Sequence, residues 1–379
     1  MNERIIFGNK KYERRLEVGE GCGVRLLANI GHMDAASDYN DELKKAEIAV
    51  KYGVDILADN TITDKIYSYK KWIKDNLPVM LNTVPIYDCF NDMENGRFEY
   101  GLLDEAIYRH IDIGSDMIVI HPTLTRELAN AVYHSSRVIK VTSRGGSQMY
   151  RYIMRYNKEN PYFEHWDELC RTVSGTGTAI AIGLSLRSGS ILDDMDHLFI
   201  KELDIAGDLI KKALKWNVPI VIEGIGHVRA SNMKALLAEV KHRCHHIPIK
   251  TLGPILSDRM IGAEHINALL GSYCAINSGA SIIGALFRSE HMGLPSLSEY
   301  EESLINYSML KYIVDMTNSD IEKEERISIA RRNRNWLGVL ENAFYPEMAA
   351  KQFHVRYGKN TPETCTMCGE RCAMKEIKR

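Results

Sequence analysis

Residues 204–227, DIAGDLIKKALKWNVPIVIEGIGH, carry the pattern that decides the fold. The first half, Asp204–Trp216, spaces its apolar residues at the period of a helix, and the second half, Pro219–Glu223, is a short continuous apolar run ending in a carboxylate. Continuous rather than alternating apolarity is what a strand covered on both faces requires. The same run recurs along the chain at Val24–Ile30, Val54–Asp59, Val79–Ile86, Met117–His121, Val138–Ser143, Ala179–Leu184, Ile247–Leu252 and Ala280–Phe287. Helical patterns such as Asp41–Lys51 lie between them. Alternation of this kind implies right-handed βαβ units and a parallel sheet, hence an α/β fold. Nine runs suit a (β/α)8 TIM-like barrel with one to spare, and a doubly wound open sheet would also absorb them. The barrel is preferred because polar residues of catalytic type follow almost every run at its C-terminal end. A barrel gathers all those ends at one mouth, whereas an open sheet does so only at its switch point. From Ser298 the pattern turns helical, at Tyr300–Met316, Ile321–Arg332 and Trp336–Ala343, and the polar stretch Tyr357–Thr364 leads to a cysteine cluster. The expected organisation is a barrel over 1–297, a helical region over 298–345 and a cluster-binding tail over 346–379.

Working outward, the 379 residues are 45% hydrophobic and 26% charged, which excludes disorder as the main state. Lys and Arg number 48 against 50 Asp and Glu, a net charge of −2, so the basic excess of a general nucleic-acid binder is missing. No run approaches the ~18 apolar residues of a membrane span. The first twenty residues hold no apolar h-region, so the expected setting is the cytoplasm. Five cysteines are scattered, as in a reducing compartment, and three crowd into eight residues near the C-terminus.

Those three form Cys365-Thr-Met-Cys368-Gly-Glu-Arg-Cys372. Three thiolates on a tight loop hold three irons of a [4Fe-4S] cube and leave the fourth iron open to the amino acid part of S-adenosylmethionine. Structural zinc is the alternative reading, but it needs a fourth ligand, and the nearest candidate is His354 upstream. Redox thiols are a third reading. Histidines end several runs: His121, His227 in Glu223-Gly-Ile-Gly-His227, and His291 in Glu290-His291-Met-Gly-Leu-Pro295, with His265 in a further loop. Singly each reads as structural; together at one mouth they suit a metal or acid–base site. Thr142-Ser143-Arg144-Gly145-Gly146-Ser147 and Leu186-Arg187-Ser188-Gly189-Ser190 offer hydroxyls, bare amides and two guanidinium groups, the makings of a phosphate or carboxylate cradle. Asn29, Asp59, Asn60, Tyr87 and Glu223 are expected as hydrogen-bonding groups at the same mouth.

In this order, ANIG at Ala28, NTVPIY at Asn82, SRGGS at Ser143, LRSGS at Leu186, EGIGHV at Glu223, TLGP at Thr251, EHMGLP at Glu290 and CTMCG at Cys365 resemble the phosphomethylpyrimidine synthase family over roughly Arg25 to Lys375. The resemblance implies a radical S-adenosylmethionine lyase on a (β/α)8 barrel that rearranges 5-aminoimidazole ribotide. An anaerobic relative makes 5-hydroxybenzimidazole, a cobamide lower-ligand precursor, from the same ribotide. It implies a ribonucleotide substrate held by Asn29, Tyr87, His121, Ser143, Arg144, Gly145, Arg187 and Glu223. It implies a divalent metal, zinc or iron, on His227 and His291. It implies a [4Fe-4S] cluster on Cys365, Cys368 and Cys372, with Glu223 and these cysteines as the catalytic set. A cytoplasmic homodimer served by a flavodoxin or ferredoxin, without nucleic-acid or membrane partners, completes the implied picture. The family usually carries Met where this chain has Ala58, Asp-Gly where it has Leu184-Ser185, and Tyr where it has Lys250. A carboxylate missing at Leu184 is expected to leave a polar ring short of a partner, at ~1–3 kcal/mol. Two other classes fit the residues. One is a metal-dependent barrel hydrolase with a structural zinc tail, and the other is a non-catalytic paralogue.

Overall fold

The computed structural model describes residues 3–33, 38–63, 66–95 and 98–376. Two compact units emerge, Met1–Lys311 and Tyr312–Arg379. The first unit opens with an antiparallel hairpin of β1 (Arg4–Phe7) and β2 (Leu16–Gly19), a two-stranded sheet separate from the barrel. Eight parallel strands then close into a barrel: β3 (Arg25–Ile30), β4 (Ile56–Asp59), β5 (Met80–Thr83), β6 (Met117–Ile120), β7 (Ala179–Gly183), β8 (Ile220–Glu223), β9 (Ile249–Thr251) and β10 (Ile282–Ala285). They pair in chain order and β10 closes on β3. Every residue of β4, β5, β6, β8 and β10 is buried, as expected of strands with side chains inward and helices outward.

The spare run is Val138–Ser143, which forms no strand. Val138 is 61% exposed, so the apolarity of the run is not spent on burial. The backbone N–H groups of Val138 and Ile139 donate to the two carboxylate oxygens of Asp193, at 2.9 Å each, instead of to a neighbouring strand. Ser143 then caps the helix Arg144–Tyr156. The run is a loop inside the long crossover from β6 to β7, which brings that helix to the mouth.

Charge is buried at the other end of the barrel as well. Asp116, just before β6, accepts from Lys74 Nζ at 2.6 Å, from Leu81 N at 2.7 Å and from Asn9 N at 2.9 Å. The helix Leu297–Val314 buries Tyr300, Ser303, Leu304, Tyr307 and Leu310 along one stripe. Tyr300 stacks on Phe287 at 4.5 Å, and the Tyr307 hydroxyl accepts from Leu286 N.

The second unit holds the helices Asn318–Arg332, Trp336–Glu341 and Pro346–Tyr357. Thr317 and Asp320 make a reciprocal capping box on the first. Trp336 lies 5.3 Å from Phe353, and its indole N–H donates to Pro362 O at 2.6 Å, fastening the polar stretch that leads to the cysteines. Among the described residues no helix is long and apolar enough to cross a membrane.

Asp116→Ala leaves a buried ammonium and two amides unpaired. It is expected to cost about 3–5 kcal/mol in urea unfolding followed by circular dichroism. A loss inside the ~0.5 kcal/mol of an ordinary surface substitution contradicts the role given to this carboxylate.

Candidate functional site

The C-terminal ends of the barrel strands surround a cavity of about 460 Å³. Asn29 of β3, Asn82 of β5, Glu223 of β8 and Lys250 of β9 line it, with Asn60, Tyr87, His121, Ser143, Arg144, Arg187, His227, Glu290 and His291 from the loops beyond.

Glu223 and Lys250 face each other across the β8–β9 register, with Nζ 2.5 Å from Oε2. Lys250 also donates to Asn82 Oδ1 at 3.3 Å, which carries the network across the interior to β5. Burial pushes the Glu223 carboxyl up, but Lys250, Arg187 and His121 outweigh it and hold the group below its ordinary value. Glu223 is therefore ionised at neutral pH. Asn29 accepts from Asn60 Nδ2 at 3.2 Å beside it.

A second group of residues in the cavity suits an anion. Ser143 accepts the amide of Gly146 on Oγ at 3.2 Å and lies 2.7 Å from His121 Nε2. Burial pushes His121 down to about 4, so the ring is neutral, and one shared proton joins its Nε2 to the Ser143 hydroxyl. Gly145 lies directly under that ring: a Cβ there would be 2.4 Å from His121 Cε1 and 2.6 Å from Nδ1. The two glycines in the first turn thus let His121 and Ser185 pack closely against the helix start, whose N-terminal end carries a partial positive charge. The Arg144 guanidinium sits 5.4 Å from the Tyr87 ring centroid, and Arg187 joins from the loop after β7. Burial lowers the pKa of Arg187 without discharging it.

His227 and His291 form a third group, with ring centroids 5.2 Å apart. His227 Nδ1 is 2.7 Å from Asp258, and His291 Nδ1 is hydrogen-bonded to Glu264. A carboxylate on Nδ1 fixes the tautomer that leaves Nε2 free to ligate, the usual support for a metal-bound imidazole. Burial lowers the pKa of His227 more than Asp258 raises it, which favours the neutral, ligating form. These two residues fit a divalent metal, though among the described residues no group of three or more His, Cys, Asp or Glu is gathered for one.

Of the expected residues, Asn29, Tyr87, His121, Ser143, Arg144, Arg187, Glu223, His227 and His291 do meet in this cavity. Gly145 does not line it and acts through His121 instead. Asp59 is turned away, bound to Lys70 at 2.8 Å and to Thr61. His265 is buried outside the cavity, 3.9 Å from Glu302. Leu184 is fully buried in the apolar core beside Gly224 and does not line the cavity. Unforeseen members of the lining are Asn82 and Glu290, Thr142 joins from the expected cradle stretch, and Lys250 enters as a partner of Glu223. A lysine inside the apolar run IPIKTL, and an asparagine at the end of a strand run, are the signals that mark Lys250 and Asn82.

Cys365, Cys368 and Cys372 lie in the second unit as free thiols. Their loop turns at Gly369, whose φ is +54° and whose amide donates to Cys365 O at 3.0 Å. The amides of Cys368 and Met367 point at the Cys365 sulfur and lower its pKa, which favours thiolate. N–H groups aimed at sulfur, with no disulfide, fit an iron–sulfur ligand loop.

A model of the family described as radical SAM ThiC matches residues 2–379. The chain is 32% identical over 385 residues to phosphomethylpyrimidine synthase of Carboxydothermus hydrogenoformans, covering 99% of this chain and 90% of that one. It is 31% identical over 388 residues to the Fusobacterium nucleatum enzyme of the same name, covering 100% and 88%. The Pyrococcus abyssi enzyme of that name is 31% identical over 383 residues, covering 98% and 89%.

His227→Ala and His291→Ala are each expected to lower bound zinc or iron per chain, measured by plasma mass spectrometry after reconstitution, while His265→Ala leaves it unchanged. Full metal content in both single variants contradicts a site shared by the two rings.

Proposed function

The chain belongs to the radical SAM ThiC family, and on that premise we propose that it is a radical S-adenosylmethionine lyase acting on 5-aminoimidazole ribotide or a close nucleotide, with the phosphorylated thiamine pyrimidine as product. The observation that carries this reading is the company kept in one cavity: an anion cradle, an ionised carboxylate and a carboxylate-supported pair of imidazoles.

A ribotide brings a phosphate, sugar hydroxyls and a polar base. Ser143, Arg144 and Arg187 at or near the helix N-terminus suit the phosphate, where the guanidinium forks match its oxygens. Glu223, kept ionised by Lys250, accepts from the sugar hydroxyls, with Asn29 and Tyr87 beside it. His121 stays neutral and holds the Ser143 cap in place. Val84, Val119, Ile255 and Leu286 give the cavity apolar walls that keep water from a reactive centre. His227 and His291 would hold zinc or iron close by, and Cys365, Cys368 and Cys372 a [4Fe-4S] cluster. Loaded with S-adenosylmethionine, that cluster supplies one-electron, hydrogen-abstracting chemistry, with flavodoxin or ferredoxin as donor. A cytoplasmic homodimer belongs to the same reading.

A second reading, production of 5-hydroxybenzimidazole from the same ribotide, is favoured by one feature. Ala58 and Lys250 both line the cavity at positions where the family resemblance puts Met and Tyr.

Anaerobic incubation with 5-aminoimidazole ribotide, S-adenosylmethionine and dithionite, followed by mass spectrometry, is expected to yield 5′-deoxyadenosine and the pyrimidine phosphate. Cys368→Ser should yield neither while keeping the thermal transition of the barrel. 5-Hydroxybenzimidazole in place of the pyrimidine selects the second reading. Consumption of the ribotide without 5′-deoxyadenosine overturns both and points to metal-dependent hydrolysis.

A further inference from the structure

We propose that Glu202, which does not line the cavity, is the positioning residue of the anion cradle: one buried carboxylate fixes the backbone that presents Arg187 and ties it to the loop that carries His121. The proposal rests on the reading that Ser143, Arg144 and Arg187 hold a phosphate.

Glu202 lies on the helix His197–Lys215 and is fully buried. Oε1 accepts from Ser185 N at 2.7 Å and from the Thr123 hydroxyl at 2.6 Å, and Oε2 accepts from Leu186 N at 2.8 Å. Ser185 and Leu186 immediately precede Arg187, whose Nη1 donates back to Leu184 O at 3.3 Å. The Leu186 carbonyl is held from the other side by Arg137 Nη2 at 2.7 Å. The peptide that launches Arg187 is thus gripped on both faces, by the Glu202 carboxyl group and by Arg137.

Thr123 gives the same carboxylate a second hold. It stands two residues beyond His121, whose ring bonds Ser143, the cap of the helix that offers its N-terminus to the cavity. Ser143, His121, Thr123, Glu202 and the 185–186 backbone therefore form one connected chain between the two arms of the cradle. Gly146 reinforces the link from the helix side, since a Cβ there would lie 2.6 Å from Ser185 Oγ. Burying a carboxylate is costly unless its lone pairs are filled, and here three donors converge on it. A brace for the barrel alone would need no such focus on the residues flanking Arg187 and His121.

A positioning role separates from a structural one by what the ligand carries. In Glu202→Gln the amide NH2 replaces one acceptor oxygen and confronts a backbone N–H, so one of the two loop amides loses its partner. Binding of the ribotide and of its unphosphorylated riboside is measured by calorimetry on the full chain, for wild type, Glu202→Gln and Arg187→Ala. The wild type is expected to prefer the ribotide. Glu202→Gln should cut that preference about ten-fold, while affinity for the riboside stays within about two-fold. Glu202→Asp, which keeps the carboxyl group but withdraws it by one methylene, should do the same and serves if the Gln variant does not fold. If Arg187→Ala loses the preference and neither Glu202 variant does, the positioning role is wrong and the phosphate reading stands. If Arg187→Ala also keeps the preference, the phosphate reading fails and the proposal falls with it.

Discussion

Charge buried inside a barrel has to be neutralised, and the Lys250–Glu223 pair is where that requirement sets the chemistry of this protein. An unpaired ammonium or carboxylate at that depth would cost several kcal/mol after relaxation. Placed side by side on β8 and β9, the two groups satisfy each other, and Asn82 takes a further Lys250 proton from across the interior. Glu223 consequently stays an anion in a place where burial alone would protonate it. The rest of the mouth follows the same rule. His121 gives up its charge instead of finding a partner, while Arg187 cannot give up its own and so favours an anionic ligand. A cavity that holds an ionised acceptor together with permanent cations suits a substrate that carries both hydroxyls and a phosphate.

Eight of the nine apolar runs are barrel strands, in the expected order, because continuous burial leaves a continuous apolar signature. The ninth, Val138–Ser143, has the same composition, and only the carboxylate of Asp193, more than fifty residues downstream, decides that its amides are spent on a loop. No local pattern contains that contact. The site was legible to the extent that side chains at strand ends must face the mouth: Asn29, His121 and Glu223 could be read this way. The difference between Asn60, which faces in, and Asp59, which faces Lys70, is a one-residue alternation at the end of β4, and strand boundaries are not fixed that finely by composition.

Glu202 shows the opposite failure. Its helix buries Leu198, Phe199, Glu202, Leu203, Ala206, Leu209 and Ile210, so position 202 falls on the inward face by period alone. A helix taken to begin at Asp204 hides that phase. Gly145 was singled out for its bare backbone, and the space its missing side chain leaves is filled by His121. Both residues act on the cavity through a neighbour, which a reading of chemical types along the chain does not reveal.

The spacing of the three cysteines in the second unit marks a ligand loop but leaves iron–sulfur, zinc and redox thiols open, and the turn at Gly369 with amides directed at Cys365 suits an iron–sulfur ligand. Substrate recognition is the more demanding part, since it depends on groups from six barrel strands and their loops adopting one arrangement. A crystal structure with the ribotide bound tests that arrangement most directly. The phosphate should lie within hydrogen-bonding distance of Arg144 and Arg187 at the N-terminus of the helix Arg144–Tyr156, with the ribose toward Glu223. A phosphate lodged instead beside Lys250, or outside the barrel mouth, would contradict the assignment of the phosphate to Arg144 and Arg187.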